Sequence, residues 1–249
     1  MFALALALSL LIGIALGLLG GGGSILTTPI LIYVLDLEAK AAIATSLLVV
    51  GVTSVAAVVQ HARAGNVEWR TGLTFGGAGM VGAFLGGFVA RWIPAHILMG
   101  LFALMMLATA VAMFRGRKDA GGGGEGQATW KVILDGLIVG VVTGLVGAGG
   151  GFLVVPALAL LGGLPMKKAV GTSLLVIALK SFAGFAGHAS HVTVDLELAA
   201  AVSGSAVLGS FVGSRLVSLI PPEALRRGFA VFVLVMGAFV LFQQLQGSA

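Results

Sequence analysis

The sequence predicts an all-α integral membrane protein made of two inverted-topology repeats, each a glycine-broken helix pair followed by three transmembrane helices. Hydrophobic residues make up 59% of the 249 residues and charged residues only 9%, which leaves too little polar surface for a soluble globule of this length. The second half also repeats the first at one constant spacing, without a gap. Internal repeats are typical of secondary transporters, so transport is the leading hypothesis for the function.

The repeat rests on residues that are not apolar, because apolar matches arise by chance in so biased a composition. A proline, a lysine and a histidine of the first half each meet the same residue type in the second. These pairs are Pro29 and Pro156, Lys40 and Lys167, and His61 and His188, and we call the alignment that they define the repeat alignment. The chain therefore divides into a first membrane repeat (1–114), a glycine-rich linker (115–130) and a second membrane repeat (131–249).

Each half contains five apolar segments. They cover 2–19, 24–35, 41–61, 70–92 and 95–114 in the first half, and 131–146, 151–163, 168–188, 197–219 and 222–243 in the second. A crossing needs about 20 residues, so the last three segments of each half are full spans. The segment 24–35 is either a re-entrant half-helix or a thin, tilted crossing. Residues 2–19 lack a basic region and a cleavage site, so they belong to the fold rather than to a signal peptide.

Basic residues predict how the repeats are oriented. If each broken pair turns back, the halves are inverted, and ten basic residues share one side of the membrane while two lie opposite. The ten are Arg63, Arg70, Arg115, Arg117, Lys118, Lys131, Lys167, Lys168, Arg226 and Arg227, and the two are Lys40 and Arg91. Parallel halves would divide the same residues six against six, which is no signal at all. We therefore expect a prokaryotic inner (plasma) membrane protein with both termini outside and the linker in the cytoplasm.

Composition excludes several classes of site and partner. The chain has no cysteine, so disulfides, thiolate metal sites and iron–sulfur clusters are excluded, and we expect neither a metal nor a cofactor. The basic residues flank apolar spans, which makes them topology signals rather than a nucleic-acid surface. The nine acidic residues lie almost entirely at loops and span ends, so the sequence does not predict an enzyme. The oligomeric state is left open, a homodimer included.

Two copies of one motif give the chain a family resemblance. In the first half the motif is Gly17-Leu-Leu-Gly20-Gly-Gly22-Gly23, Pro29 and Lys40-Ala-Ala-Ile-Ala-Thr45-Ser46-Leu47. In the second it is Gly144-Leu-Val-Gly147-Ala-Gly149-Gly150, Pro156 and Lys167-Lys-Ala-Val-Gly-Thr172-Ser173-Leu174. The motifs resemble those of the TauE/SafE sulfite exporter family of membrane permeases, over 10–114 and 137–243. The resemblance implies transport of a small anion such as sulfite or an organosulfonate, coupled to the proton gradient.

The glycine-broken helices are the first candidate binding site. A half-helix that begins after a glycine run presents unpaired backbone N–H groups and a positive dipole end, which favour an anion. The residues concerned are Gly22, Gly23 and Ser24 in the first half and Gly149, Gly150 and Gly151 in the second. The alternative is that these glycines only permit a tight turn. Gly82 with Gly86 and Gly209 with Gly213 have the spacing of helix-packing glycines instead.

Lys180 is the strongest single candidate for binding the anion. It lies 12 residues after Lys168, about 18 Å along a helix, and so near the membrane centre. An ammonium there costs about 2.5–3.5 kcal/mol, so it should face a cavity or a partner. A structural pair with a carboxylate such as Asp135 is the alternative, and a passive anion channel would use a central lysine equally well.

The remaining polar candidates each have a structural alternative. Hydroxyl groups near the start of the third segment of each half contact either the substrate or a neighbouring backbone. These are Thr45, Ser46, Thr172 and Ser173. His61, His188 and Asp135 are candidates for proton coupling, and each histidine is otherwise an interfacial or helix-capping residue. Arg215 contacts the substrate or anchors its helix end at the interface.

Overall fold

The computed structural model describes residues 2–90, 92–93, 95–115, 129–146, 151–189 and 193–246, and within them the protein is all-α. The helices are α1 (Phe2–Leu19), α2 (Gly22–Tyr33), α3 (Ala39–Arg63), α4 (Trp69–Ala90), α5 (Ala95–Arg115), α6 (Thr129–Val146), α7 (Gly151–Pro156), α8 (Met166–Ala189), α9 (Leu196–Leu219) and α10 (Pro222–Gln246). A π-helical segment, Ala157–Leu161, continues α7. Each predicted apolar segment is a helix, and α5 and α6 extend to Arg115 and Thr129, into the stretch that the sequence suggested as linker.

The length and surface of the helices are those of an integral membrane protein. Four of the described helices are long and apolar enough to cross a bilayer: Ala41–Arg63, Met166–Ala186, Leu196–Leu219 and Pro222–Phe242. Large apolar side chains are exposed around the bundle, including Phe84, Leu104 and Leu208. So much exposed apolar surface is unfavourable in water and is solvated by lipid.

The break between α1 and α2 has a backbone cause. Gly20 adopts a φ of 77°, in the left-handed region that favours glycine, and its N–H bonds to the Leu16 carbonyl at 2.8 Å. The chain then reverses, and Gly23 of α2 packs against Ile12 and Leu16 of α1. The corresponding glycines 147–150 lie outside the described residues. In the second half, Pro156 removes a backbone donor where α7 passes into the π-helical segment.

The two halves interlock rather than forming separate lobes. α1 packs along α9, and α4 packs along α6, so each of these close pairs joins one helix from each half. The contacts that fix the pairs are Gly13 with Ala206 and Gly17 with Ser210, then Gly136 with Phe75 and Gly140 with Gly79. Residue numbers rise together along both pairs, so both are parallel. A Cβ on the first-named glycine of each contact would overlap the backbone of the partner helix, which is close packing through small residues.

α3 and α8 form the centre of the bundle and run antiparallel. Gly171 of α8 contacts His61 near the end of α3, whereas Gly184 contacts Leu47 near its start. The end of α3 and the start of α8 therefore lie at one end of the bundle, which we call the basic end. Its basic residues include Arg63, Arg70, Arg115, Lys131, Lys167, Lys168, Arg226 and Arg227. The opposite, acidic end contains Asp36, Glu38, Asp195 and Glu197.

Candidate functional site

One face of α8 contacts the first glycine break and the start of α7. Ser173, Ile177 and Lys180 are spaced i, i+4 and i+7, which places them in a row on one side of the helix, and we call this row the α8 stripe. A Cβ on Gly20 would lie 2.5 Å from the Ser173 hydroxyl, and a Cβ on Gly151 would lie 3.0 Å from the Ile177 side chain. Lys180, one turn further along, reaches α6.

The start of α2 meets the start of α7 beside this stripe. A Cβ on Gly21 would overlap the backbone of Gly151 and Phe152, so the first glycine break touches the start of α7 backbone to backbone. The Ser24 hydroxyl lies 3.0 Å from the Cβ position of Gly151 and bonds to the Gly21 carbonyl at 2.7 Å. The structure thus brings Ser24 and Gly151 together, with Gly22 and Gly23 in the first turn of α2. Gly149 and Gly150 lie outside the described residues.

Lys180 donates a hydrogen bond to a neutral partner. Its Nζ lies 3.0 Å from Oγ1 of the buried Thr143 on α6, and the Thr143 hydroxyl bonds to the Gly140 carbonyl at 3.0 Å. Asp135, the carboxylate suggested as a partner, precedes Thr143 by eight residues, about 12 Å along α6. The ammonium is therefore held by a hydroxyl, which leaves its positive charge without a neutralising partner at this contact.

The repeat alignment shows that this polar contact exists in one half only. The equivalents of Lys180 and Thr143 are Thr53 and Leu16, both fully buried, and the Thr53 hydroxyl bonds to its own helix at the Val49 carbonyl. Sequence reasoning identified Lys180 but missed Thr143. The available signal was a hydroxyl in an apolar span where the other repeat has leucine.

The two Thr–Ser pairs lie at opposite ends of the bundle. Thr172 and Ser173 are beside the end of α3, because Gly171 contacts His61. Thr45 and Ser46 lie about 24 Å further down α3, at its start. Thr172 accepts a hydrogen bond from the Glu68 backbone N–H at 3.0 Å, and Ser173 donates to the Val170 carbonyl at 2.7 Å. Of the two pairs, the one in the second half adjoins the first glycine break.

His61 is buried rather than interfacial. It is 2% exposed, and its Nε2 donates to the Gly17 carbonyl at 3.0 Å. Gly17 is in the last turn of α1, where carbonyl groups have no N–H donor within the helix, so His61 caps the end of α1 from α3. Its Nδ1 is buried, with no hydrogen-bond partner in the described part of the chain. The His188 side chain lies outside the described residues.

Arg215 and Asp135 are not part of the α8 stripe. Arg215 is exposed in the last turns of α9, and Asp135 is half-buried in the second turn of α6. Among the described residues, no group of three His, Cys, Asp or Glu side chains could hold a metal ion. The polar side chains on and beside the α8 stripe are the hydroxyls of Ser24 and Ser173, which donate to backbone carbonyls, and the Lys180 ammonium, whose charge suits an anion.

The helices and the lipid-facing apolar surface define an integral membrane protein, and comparison with known proteins gives its class as a membrane transporter. The sulfite exporter TauE/SafE family model matches residues 5–240, and the chain belongs to this family. It is 34% identical to a probable membrane transporter protein of Xylella fastidiosa over 94% of this chain and 92% of that protein. A probable membrane transporter protein of Methanocaldococcus jannaschii is 30% identical, over 96% and 97%. No solved structure matches.

Proposed function

We propose that the protein is a secondary transporter for a small anion, with sulfite or an organosulfonate as the leading substrate class. The observation that carries the proposal is Lys180, a cation well inside α8 whose ammonium is held by the Thr143 hydroxyl. A charge at that depth is costly unless it has a partner or lines a path, so it marks a position for a negative group. The description of the family as sulfite exporters supports the substrate class.

The helix arrangement supports an inverted relation between the repeats. α3 and α8 are equivalent helices of the two halves, and their antiparallel packing is what a two-fold axis in the membrane plane requires. The α1–α9 pair is likewise the counterpart of the α4–α6 pair. With the basic end in the cytoplasm, α1 begins and α10 ends outside, in a prokaryotic plasma membrane.

Alternating access in this proposal moves pairs of helices rather than sequence halves. Moving one half as a rigid body would separate α1 from α9 and α4 from α6, where backbones are in direct contact. The units that rock are therefore mixed, with α1–α9 in one and α4–α6 in the other. The first glycine break and the start of α7, which are packed against each other through Gly21 and Gly151, separate in this movement and expose the α8 stripe to the anion.

The test of the proposal is anion flux into proteoliposomes that contain the full chain. Sulfite, sulfoacetate and thiosulfate are offered, with an imposed pH gradient and without one. In Lys180→Met we expect loss of a charge-assisted contact worth about 1.5–3 kcal/mol, which lowers apparent affinity about 10- to 150-fold. Lys167→Met is the matched control, because that lysine is partly exposed at the basic end and bonds to the Ser218 carbonyl. Equal flux in Lys180→Met and Lys167→Met would show that Lys180 does not bind the transported anion.

A passive anion channel is the alternative, and the same assay separates the two. The tight backbone contact of Gly21 with Gly151 favours a carrier, because an open pore would not pack these helix starts against each other. Flux through a carrier saturates with anion concentration and responds to the pH gradient, whereas channel flux follows the anion gradient alone. Failure to saturate would support the channel.

The orientation has its own test, since the chain contains no cysteine. Single cysteines replace Ala64 at the basic end and Thr193 at the acidic end, both exposed and uncharged. A membrane-impermeant maleimide should label Thr193→Cys in intact cells and Ala64→Cys only after permeabilisation. The reverse pattern would invert the proposed topology.

A further inference from the structure

A cavity of about 530 Å³ opens at the basic end, away from the α8 stripe. It lies between the end of α5, the start of α8 and the start of α10, and Arg115, Pro165, Met166, Pro222, Glu223 and Arg226 are among its lining residues. Met166 precedes Lys180 by 14 residues, about 21 Å along α8. The cavity is therefore separate from the proposed transport site, and its volume is within the usual range for small-ligand pockets.

Among the described residues, the lining of the cavity carries more positive than negative charge. Arg115 and Arg226 contribute two guanidinium groups, and the Nε of Arg226 is buried with no hydrogen-bond partner in the described residues. The carboxylate in the lining, Glu223, is already paired with Arg227 at 2.7 Å. A buried guanidinium N–H without an acceptor is unfavourable, so an acceptor oxygen that enters the cavity would satisfy it.

Two long helices also begin at this cavity. The first helical hydrogen bonds of α8 and α10 are donated by Ala169 and Leu225, so the N–H groups before them have no acceptor within the helix. α8 has 24 residues and α10 has 25, and both direct the positive ends of their dipoles toward this end of the bundle. The positive ends of these helix dipoles add to the positive potential of Arg115 and Arg226 in the cavity.

The positions that correspond to this cavity in the other half of the chain differ in charge. In the repeat alignment, Arg226 and Arg115 correspond to Met99 and Phe242, and Gly163 and Pro165 of the lining correspond to Asp36 and Glu38. These four positions therefore hold two arginines and no acidic residue at the basic end, and two acidic residues and no basic residue at the corresponding positions. Topology requires basic residues in loops at this end, but it does not require a buried Arg226 Nε beside a cavity.

We propose that this cavity binds a phosphate-type oxyanion, presented either by a free anion or by the headgroup of an anionic phospholipid. Guanidinium groups bind such oxygens in a fork geometry, and helix N-termini add backbone donors. The position of the cavity is consistent with both sources. It opens where α5 ends and α10 begins, at the basic end of the bundle, and Arg115 is exposed there.

The experiment measures the thermal stability of the purified full chain in neutral detergent at constant ionic strength. One series adds inorganic phosphate against chloride, and the other adds phosphatidylglycerol against phosphatidylcholine. Wild type should be stabilised in at least one series, and Arg226→Gln should weaken the apparent affinity about tenfold. Arg63→Gln is the matched control, because Arg63 is exposed at the same end and is not part of the lining. Arg115→Gln, at an exposed position, gives a second variant should Arg226→Gln fail to fold.

Each outcome decides the proposal. Stabilisation by phosphate identifies a free-anion site, and stabilisation by phosphatidylglycerol alone identifies a headgroup site. In both cases the effect must persist in Lys180→Met, which separates this cavity from the transport site. No stabilisation in either series, or equal stabilisation of wild type and both cavity variants, would overturn it.

Discussion

Lys168 at the start of α8 is ion-paired with Glu68 just ahead of α4, with 2.5 Å between Nζ and Oε1. The pair joins the two halves of the chain at the basic end, and the Glu68 N–H extends the link to Thr172. In the repeat alignment the two positions hold Ala41 and Asp195, which cannot form an ion pair. The equivalent positions at the acidic end therefore lack this link, and in the proposed mechanism the pair would hold the basic end closed.

Removing this pair should favour opening of the basic end. Both side chains are 34% exposed, and such pairs contribute about 0.2–1 kcal/mol, so Glu68→Gln should shift the equilibrium by up to about fivefold. The measurement is the maleimide labelling rate of Ser173→Cys, which is fully buried in the closed form. The rate should rise in Glu68→Gln and fall again in the exchanged pair Glu68→Lys with Lys168→Glu. Unchanged labelling would mean that the pair does not gate this end.

Thr143 should matter because it supplies the acceptor for the Lys180 ammonium. In Thr143→Val the ammonium loses its hydroxyl partner, and the variant should lose about 1–3 kcal/mol of stability. Thr143→Ser keeps the acceptor and should behave as wild type in thermal unfolding. If valine is tolerated without cost, the ammonium has another partner. An added anion should restore part of the lost stability, because it would compensate the free charge.

The sequence predicted the helices well because apolar length is a local property. The six segments predicted as full spans and both short apolar segments are helices, four described helices are long and apolar enough to cross a bilayer, and α1 has the predicted bounds of 2–19. The packing glycines Gly209 and Gly213 also contact a neighbouring helix, α1, as their spacing predicted. Lipid requires each backbone group to be satisfied within a helix, so composition alone determines most of the secondary structure.

Contacts between the two halves of the chain could not be predicted from the sequence. The pairing of α1 with α9 depends on which small residues face each other, and many helices of this chain offer small residues. Burial of His61 was missed for a related reason, since its acceptor, the Gly17 carbonyl, is 44 residues away in sequence. The partner of Lys180 was a hydroxyl, and a hydroxyl in an apolar span gives no charge signal.

His61 should act as a helix cap, and a substitution that preserves the donor tests this. His61→Gln retains an N–H donor for the Gly17 carbonyl, whereas His61→Ala leaves that carbonyl buried and unpaired, at a cost of about 1–3 kcal/mol. We expect His61→Ala to be less thermally stable than His61→Gln. Flux and its response to the pH gradient should be retained in His61→Gln. Loss of the pH response alone in His61→Gln would instead assign the coupling proton to this residue.

Gly20 combines a left-handed backbone conformation with close packing against α8. A second glycine, Gly65, allows these two effects to be separated. Gly65 has a similar φ of 71°, but a Cβ there would meet nothing within 4 Å, whereas a Cβ on Gly20 would lie 2.5 Å from the Ser173 hydroxyl. Gly65→Ala should therefore cost only the left-handed conformation, about 1–2 kcal/mol. Gly20→Ala should cost more in thermal unfolding, because Ser173 of the α8 stripe must also move. It should also slow anion flux, while Gly65→Ala should not, since only the first substitution disturbs the contact between the glycine break and α8. Equal stability losses in the two variants would show that the Ser173 side chain can move without cost. The contact between Gly20 and Ser173 would then not hold the first glycine break in place.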